Sequence, residues 1–199
     1  MAELTYRDAV ARGIAQEMER DKRVVFLGED IGKAGGVFKT TVGLYEQFGP
    51  LRVRDTPISE QAILGAAMGA AMTGLRPIAE IMFADFLAVC FDYVANEMSK
   101  LRYMSNGQLS CPLVIRTGNG GGVRFGAQHS QSIENWTMMI PGIKVVAPSS
   151  PVDVIGLMAG QADRRSQRGP CRRRHGAAEE GVAFGWRCAA IRLGARQDR

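Results

Sequence analysis

The sequence predicts an α/β fold with a mainly parallel β-sheet and helices on both faces. Short apolar segments of strand length alternate along the chain with longer segments of helical periodicity. The apolar segments are continuous, which is typical of strands that are buried on both faces of a parallel sheet. Ligands of such sheets bind at the carboxyl ends of the strands, so the residues that follow each strand are the first candidates for a site.

The first part of the chain is predicted to form helices around one buried strand. Thr5 and Ser59 are the expected N-caps of the two longer helices, because their hydroxyl groups can accept hydrogen bonds from the first turn. Gly49 and Pro50 end the short helix between them. The predicted elements are a helix over 6–20, a strand over 24–27, a short helix over 42–48 and a helix over 60–73.

The second part repeats the alternation of strand and helix. Gly74 and Pro77 mark the turn from the preceding helix into the next strand, and Pro151 is expected at the first position of the last helix. The predicted elements are a strand over 78–82, a long helix over 84–103, a strand over 113–116, a loop over 117–126, a helix over 132–140, a strand over 144–147 and a helix that begins after Ser150.

The pattern ends near residue 160. Residues 1–160 carry a net charge of −1, whereas residues 161–199 carry +6, with ten Arg and no Lys. We interpret 1–160 as the domain and 161–199 as an aberrant, poorly ordered Arg-rich tail, of the kind that a GC-rich gene gives when it is read in a wrong frame. A second, C-terminal domain is expected to be absent.

Several classes of protein are excluded at this point. The longest stretch without a charge has 15 residues, which is shorter than the ~20 residues that a membrane-spanning helix needs. The amino terminus lacks a basic segment followed by an apolar run, so no secretory signal is expected. The four cysteines have no metal-binding spacing, and we expect free thiols in the cytoplasm.

Three residues are candidates for a site because of where they fall in the pattern. Glu29 follows the first strand, Glu60 lies in the first turn of a helix, and His129 follows the strand over 113–116. Each has a structural alternative: a carboxylate can cap a helix, and a histidine among polar residues can simply be hydrogen-bonded. Phe86 is a core residue by default.

A series of short motifs then resembles one known family. The motifs occur in order over residues 3–160, and together they are far more specific than any one of them. They are Tyr-Arg-Asp-Ala at 6–9, Gly-Glu-Asp at 28–30, Gly-Gly-Val-Phe at 35–38, Asp-Thr-Pro-Ile-Ser-Glu at 55–60, Gly-Leu-Arg-Pro at 74–77, Phe-Ala-Asp-Phe at 83–86, Arg-Tyr-Met-Ser-Asn-Gly at 102–107, Ala-Gln-His-Ser-Gln-Ser at 127–132 and Pro-Gly-Ile-Lys-Val-Val-Ala-Pro at 141–148. The chain resembles the beta subunit of the thiamine-diphosphate-dependent 2-oxo acid dehydrogenases, the decarboxylating component of the pyruvate, branched-chain and acetoin dehydrogenase complexes.

The resemblance implies a transketolase-like pyrimidine-binding domain and an enzyme activity. The activity is oxidative decarboxylation of a 2-oxo acid, with pyruvate as the preferred expectation, and transfer of the acyl group to lipoyl. The implied partners are an alpha subunit in a heterotetramer, which holds the magnesium and the diphosphate, and a lipoyl-bearing acyltransferase component. The implied cofactors are thiamine diphosphate and, in some members, potassium.

The resemblance also implies a role for each candidate residue. Glu60 corresponds to the carboxylate that hydrogen-bonds the aminopyrimidine ring of the cofactor, and Phe86 to the aromatic residue that packs on that ring. Glu29 corresponds to an acidic residue that, with Glu60, belongs to a chain of carboxylates linking paired sites. His129 corresponds to a histidine of the acyl-transfer step, and Leu113 to a backbone contact of potassium.

Two alternatives remain open from the sequence. The chain can be a truncated, catalytically inactive fragment of such a subunit, because a missing domain would leave apolar surface exposed. More remotely, it can bind nucleic acid through Arg172, Arg173 and Arg174, although a basic run without interleaved aromatic residues is more typical of a solvated segment.

Overall fold

A computed structural model describes residues 4–118, 125–162 and 189–193. Within them the chain forms a six-stranded sheet in the order β2-β1-β3-β4-β6-β5. The strands are β1 Val24–Gly28, β2 Val53–Asp55, β3 Arg76–Phe83, β4 Leu113–Gly118, β5 Lys144–Val146 and β6 Ala189–Leu193. The α-helices are α1 Tyr6–Arg20, α2 Leu44–Phe48, α3 Glu60–Met72, α4 Leu101–Met104, α5 Glu134–Met138 and α6 Pro151–Ala162.

The sheet is mainly parallel, which confirms the predicted fold class. β1 pairs in parallel with β2 and β3, and β3 pairs in parallel with β4. β6 is antiparallel to both of its neighbours, β4 and β5. All five residues of β1 are buried, and because successive side chains point to opposite faces, both faces of the sheet are covered there.

The first helix forms where the sequence predicts it. The Thr5 hydroxyl accepts a hydrogen bond from the Asp8 backbone N–H at 3.2 Å, and Val10, Ile14 and Met18 are fully buried. α1 lies close to α6, because a Cβ on Gly13 would be 3.3 Å from the Met158 Cβ.

Several elements differ from the prediction. The helix predicted over 84–103 is a 3-10 segment at Ala84–Cys90, a π-helical segment at Tyr93–Met98 and the short α4. Buried side chains three or four residues apart fit all three helical forms, so periodicity does not distinguish them. The Ser59 side chain makes no capping hydrogen bond. β2 was not predicted, because three residues with two exposed side chains carry no apolar run.

The last part of the sequence contains one described element. β6 lies within the segment interpreted as an Arg-rich tail, and its backbone pairs with β4 and β5. The rest of 163–199 lies outside the described residues, as do residues 119–124 of the glycine-containing loop. Among the described residues, no helix is long and apolar enough to cross a membrane.

Candidate active site

The strand order brings the predicted site residues to one edge of the sheet. β1, β3 and β4 are neighbours, and their carboxyl ends lead into Glu29, Phe86 and the segment that carries His129. α3 follows β2 and begins at Glu60, so this helix also starts at the carboxyl edge. The candidates separated by as many as 100 residues in the sequence therefore lie around one region.

Glu29 and Glu60 form the carboxylate half of the site. Both are buried, at 7% and 8% exposure. Burial raises the pKa of Glu29, and the negative charges of Glu60, Asp30 and Glu80 raise it further. The Oε1 atom of Glu29 has no hydrogen-bond partner among the described residues. Two carboxylates are thus held close together, where one of them retains a proton more readily than in water.

Backbone contacts hold the segments that carry these two carboxylates against each other. The Thr56 N–H donates to the Gly28 carbonyl at 2.9 Å, and the Gly32 N–H donates to Oδ1 of Asp55 at 2.6 Å. Both bonds join the loop after β1 to the segment that leads from β2 to Glu60. One main-chain bond and one bond to the Asp55 side chain therefore help to set the geometry of the carboxylate half.

Phe86 and His129 form the histidine half of the site. The His129 ring lies edge-on to two aromatic rings, with centroids 4.7 Å from Phe83 and 5.0 Å from Phe86. Phe83 also contacts Phe38 at 5.3 Å and Phe125 at 5.8 Å. Both Phe86 and His129 are half-buried, so the rings combine an apolar support with access from outside.

Cys90 connects the two halves. Its thiol lies 3.7 Å from the carbonyl oxygen of Phe86, to which it donates. Burial raises the pKa of this thiol to about 12, and the charge of Glu60 contributes to the shift. Cys90 is therefore a packed, unreactive thiol beside Glu60.

Polar atoms without partners are concentrated at the same edge. Within the described residues, the buried side-chain atoms that lack a hydrogen bond are Glu29 Oε1, Thr40 Oγ1, Thr56 Oγ1, Asp85 Oδ2 and Thr117 Oγ1. All of them lie at or after the carboxyl end of a strand. Buried polar atoms are normally satisfied by protein, water, an ion or a ligand, so this edge has the character of a polar binding site.

Comparison with known proteins agrees with this arrangement. Residues 2–172 match the family model described as the transketolase pyrimidine-binding domain. The chain belongs to this family. The carboxyl edge is thus the part of a pyrimidine-binding domain on which polar and aromatic groups converge.

The pyrimidine-binding domain is also similar to beta subunits, which confirms the predicted resemblance. It is 52% identical over 158 residues to the 2-oxoisovalerate dehydrogenase subunit beta of Bacillus subtilis, covering 79% of this chain and 48% of the relative. It is 47% identical over 156 residues to the pyruvate dehydrogenase E1 component subunit beta of Rickettsia conorii, covering 78% and 48%. It is 46% identical over 167 residues to the acetoin:2,6-dichlorophenolindophenol oxidoreductase subunit beta of Bacillus subtilis, covering 78% and 49%. The chain spans about half the length of these curated relatives.

Solved structures support the fold alone. The pyrimidine-binding domain superimposes on a split-gene transketolase in an inactive beta4 tetramer with a TM-score of 0.64 at 20% identity, covering 92% of this chain and 50% of the other. It superimposes on the 2-oxoglutarate:ferredoxin oxidoreductase from Magnetococcus marinus with a TM-score of 0.55 at 16% identity, covering 98% and 31%.

Leu113 does not join the other candidates. It is buried at the amino end of β4, whereas the other candidates lie at the carboxyl edge of the pyrimidine-binding domain. Among the described residues, no group of three or more His, Cys, Asp or Glu side chains could hold a metal ion. A potassium contact through the Leu113 backbone stays a prediction.

Three charged residues that support the site were not predicted from the sequence. Glu80 and Arg116 form a buried ion pair between β3 and β4, and Asp85 accepts hydrogen bonds from Gln131. The available signal was the presence of a charge inside or directly after an otherwise apolar strand. Such a charge is costly to bury unless it is paired, so it indicates a partner that the sequence alone does not identify.

Proposed function

We propose that this chain supplies the pyrimidine-binding part of a beta subunit in a thiamine-diphosphate-dependent 2-oxo acid dehydrogenase. The activity is oxidative decarboxylation of a 2-oxo acid with transfer of the acyl group to lipoyl. The observation that carries the proposal is the buried pair of Glu29 and Glu60 beside the rings of Phe86 and His129, in a chain of this family.

The residues present fit the pyrimidine end of that cofactor. An aminopyrimidine offers ring nitrogens and an amino group, and the carboxylate half offers Glu60 and the unpartnered Oε1 of Glu29. Phe86 offers a half-buried ring on which a flat heterocycle can pack. When bound, thiamine diphosphate supplies a carbon nucleophile and an electron sink for decarboxylation.

Each side chain then has a distinct task. Glu60 holds a proton at its carboxyl oxygen toward the pyrimidine ring, which is a general acid–base role. Glu29 holds a second proton close by, since its raised pKa favours the protonated form. Phe86 orients the ring without taking up protons. His129 serves the acyl-transfer step as a proton donor or acceptor.

The proposal includes partners that the chain needs for activity. An alpha subunit would complete a heterotetramer and hold the magnesium and the diphosphate, and a lipoyl-bearing acyltransferase would accept the acyl group. The support is that the relatives it matches are named as beta subunits and are about twice as long as the matched region. The division into a domain over 1–160 and an aberrant tail over 161–199, and a cytoplasmic location, are parts of the same proposal.

Reconstitution tests the proposed activity. The full chain would be co-expressed with an alpha subunit of the family, and turnover measured with pyruvate, 2-oxoisovalerate and acetoin. Glu60→Gln is expected to lower kcat by about 10²- to 10⁴-fold, because it removes a proton-transferring group. Gln61→Ala, at the exposed neighbouring position, is the matched control and should retain activity.

Two outcomes would contradict the proposal. Turnover that is unchanged in a folded Glu60→Gln variant would remove the role of Glu60. Absence of turnover by the reconstituted wild-type chain would favour the alternative of an inactive fragment. The nucleic-acid alternative rests on Arg172, Arg173 and Arg174, which lie outside the described residues.

A further inference from the structure

We propose that Asp85 is a positioning residue that holds His129 in place through Gln131. Asp85 follows β3 directly after Ala84 and is buried, at 7% exposure. Its Oδ1 atom accepts a hydrogen bond from the Gln131 backbone N–H at 3.1 Å and another from the Gln131 side-chain Nε2 at 2.9 Å. Gln131 is two residues from His129, so the bond fixes the segment that carries the histidine.

The His129 segment needs such an anchor. Residues 125–132 belong to no helix or strand, and within the segment the Phe125 N–H donates to the Ser130 hydroxyl at 3.0 Å. That bond shapes the turn locally but does not attach it to the sheet. The two bonds to Asp85 span 46 residues of sequence and tie the segment to the end of β3.

The same turn also supplies the rings that contact His129. Phe83, Asp85 and Phe86 lie within four consecutive residues at the end of β3. Phe83 and Phe86 contact the imidazole edge-on, while Asp85 holds the backbone two residues further along. The imidazole is therefore located by contacts on its ring and by a bond from the Gln131 backbone, and one short piece of chain supplies both.

A carboxylate suits this task better than a neutral side chain. One Oδ1 atom accepts from a main-chain N–H and from a side-chain amide, and charge-assisted hydrogen bonds are the shorter and stronger kind. Gln131 itself is exposed, so its side chain would otherwise point into water. The specific orientation of Gln131 thus depends on Asp85.

A spectroscopic experiment tests the positioning directly. The sequence contains two histidines, His129 and His175, so the full chain carrying His175→Gln gives a single imidazole signal in proton NMR. The adjacent aromatic rings should shift the His129 ring protons away from the values of an exposed histidine. In Asp85→Ala the signal is expected to move toward the exposed values, and Gln131→Ala should produce a smaller move because its backbone bond remains.

Matched controls separate positioning from folding. Gln128→Ala removes an exposed amide of the same segment that takes no part in the bonds between Gln131 and Asp85. In this variant the His129 signal should stay at its wild-type position. Asp85→Asn retains one oxygen acceptor, so its His129 signal should lie between those of the wild type and Asp85→Ala. An unchanged His129 signal in both Asp85→Ala and Gln131→Ala, with native circular dichroism, would overturn the proposal.

An activity measurement extends the test and rests on the proposed function. In the enzyme reconstituted with an alpha subunit, Gln131→Ala and Asp85→Ala should lower the rate of acyl transfer to lipoyl by on the order of tenfold to a hundredfold. Decarboxylation measured with an artificial electron acceptor should change by less than about threefold, because the carboxylate half is untouched. Equal losses in both steps would contradict the assignment to His129. If the wild-type chain is inactive, the NMR result still decides the positioning while the proposed function fails.

Discussion

The two halves of the site are built in different ways. The carboxylate half lies where β1 ends and α3 begins, and main-chain hydrogen bonds join these segments, such as that from the Thr56 N–H to the Gly28 carbonyl. The histidine half lies on a segment without regular structure, held by ring edges and by Asp85. Glu29, whose pKa is raised, lies in the buried part. His129 lies where its ring is half-exposed.

A buried ion pair supports the carboxylate half of the site. Glu80 and Arg116 are paired across β3 and β4 and are 5% and 4% exposed. Gly28 makes room for Glu80, because a Cβ on this glycine would be 2.8 Å from the Glu80 Cβ. The charge of Glu80 also contributes to the raised pKa of Glu29. The pair therefore serves both the packing and the electrostatics of the carboxylate half.

Breaking this ion pair should have the largest effect on stability. Arg116→Met leaves the Glu80 carboxylate buried without its partner, and we expect a loss of about 3–5 kcal/mol in the free energy of unfolding. Urea denaturation of the full chain measures it. The double variant Glu80→Met with Arg116→Met should recover most of the loss, because neither position then buries a charge without its partner. Arg54→Met, at an exposed strand position, is the control and should change stability by no more than about 0.5 kcal/mol.

A loss below about 1 kcal/mol in the free energy of unfolding of Arg116→Met would contradict the idea that this buried ion pair stabilises the carboxylate half. It would mean that the buried Glu80 carboxylate can be hydrated or protonated at a small cost in free energy. The two halves would then differ less in rigidity than their contacts indicate.

The histidine half should respond to the loss of its central ring. Phe83 contacts the rings of Phe38, Phe86, Phe125 and His129 and is half-buried. Phe83→Ala is expected to cost about 2–3 kcal/mol, somewhat less than a fully buried phenylalanine. Phe125→Ala is the matched control at the more exposed edge of the cluster and should cost less than about 1 kcal/mol. Equal losses in the two variants would show that the cluster has no centre at Phe83.

The difference between the halves also separates what the sequence could predict from what it could not. Local signals in the sequence predict α1, β1 and the start of α3. The parallel order of the strands then places Glu29, Phe86 and His129 at the carboxyl edge of the sheet. Capping, periodicity and turn residues act over a few positions, so they predict such elements well. The fold class and the set of converging residues follow from these signals.

Long-range partners left no comparable local signal. Asp85 and Gln131 are 46 residues apart, and Glu80 and Arg116 are 36 apart. A charge inside or directly after an apolar strand indicates that a partner exists but does not identify it, and only the register of β3 against β4 makes Glu80 and Arg116 adjacent. The helix predicted over 84–103 was wrong in form, because buried side chains three or four residues apart fit 3-10, π and α helices alike.

The smallest expected effect on stability concerns Glu29, where removing the charge should stabilise the protein. Burial, together with the charges of Glu60, Asp30 and Glu80, raises the pKa of Glu29 above its ordinary value of 4.5. The folded state therefore holds this proton at a pH where the unfolded chain has released it. Stability from this residue is fully present below the unfolded pKa and is lost as the pH rises through the folded pKa.

Glu29→Gln removes the unfavourable charge and should raise the free energy of unfolding at neutral pH. This gain should be smaller than the losses expected for Arg116→Met and Phe83→Ala. The gain should shrink as the pH falls and vanish below the unfolded pKa of 4.5, because both states of the wild-type carboxyl are then protonated. Urea denaturation at a series of pH values measures the trend, and Glu97→Gln, at an exposed position, is the control. A Glu29→Gln variant that is less stable than wild type at neutral pH would mean that a favourable contact holds the carboxylate. The carboxylate half would then owe part of its geometry to the Glu29 side chain, as the histidine half owes part of its geometry to Asp85.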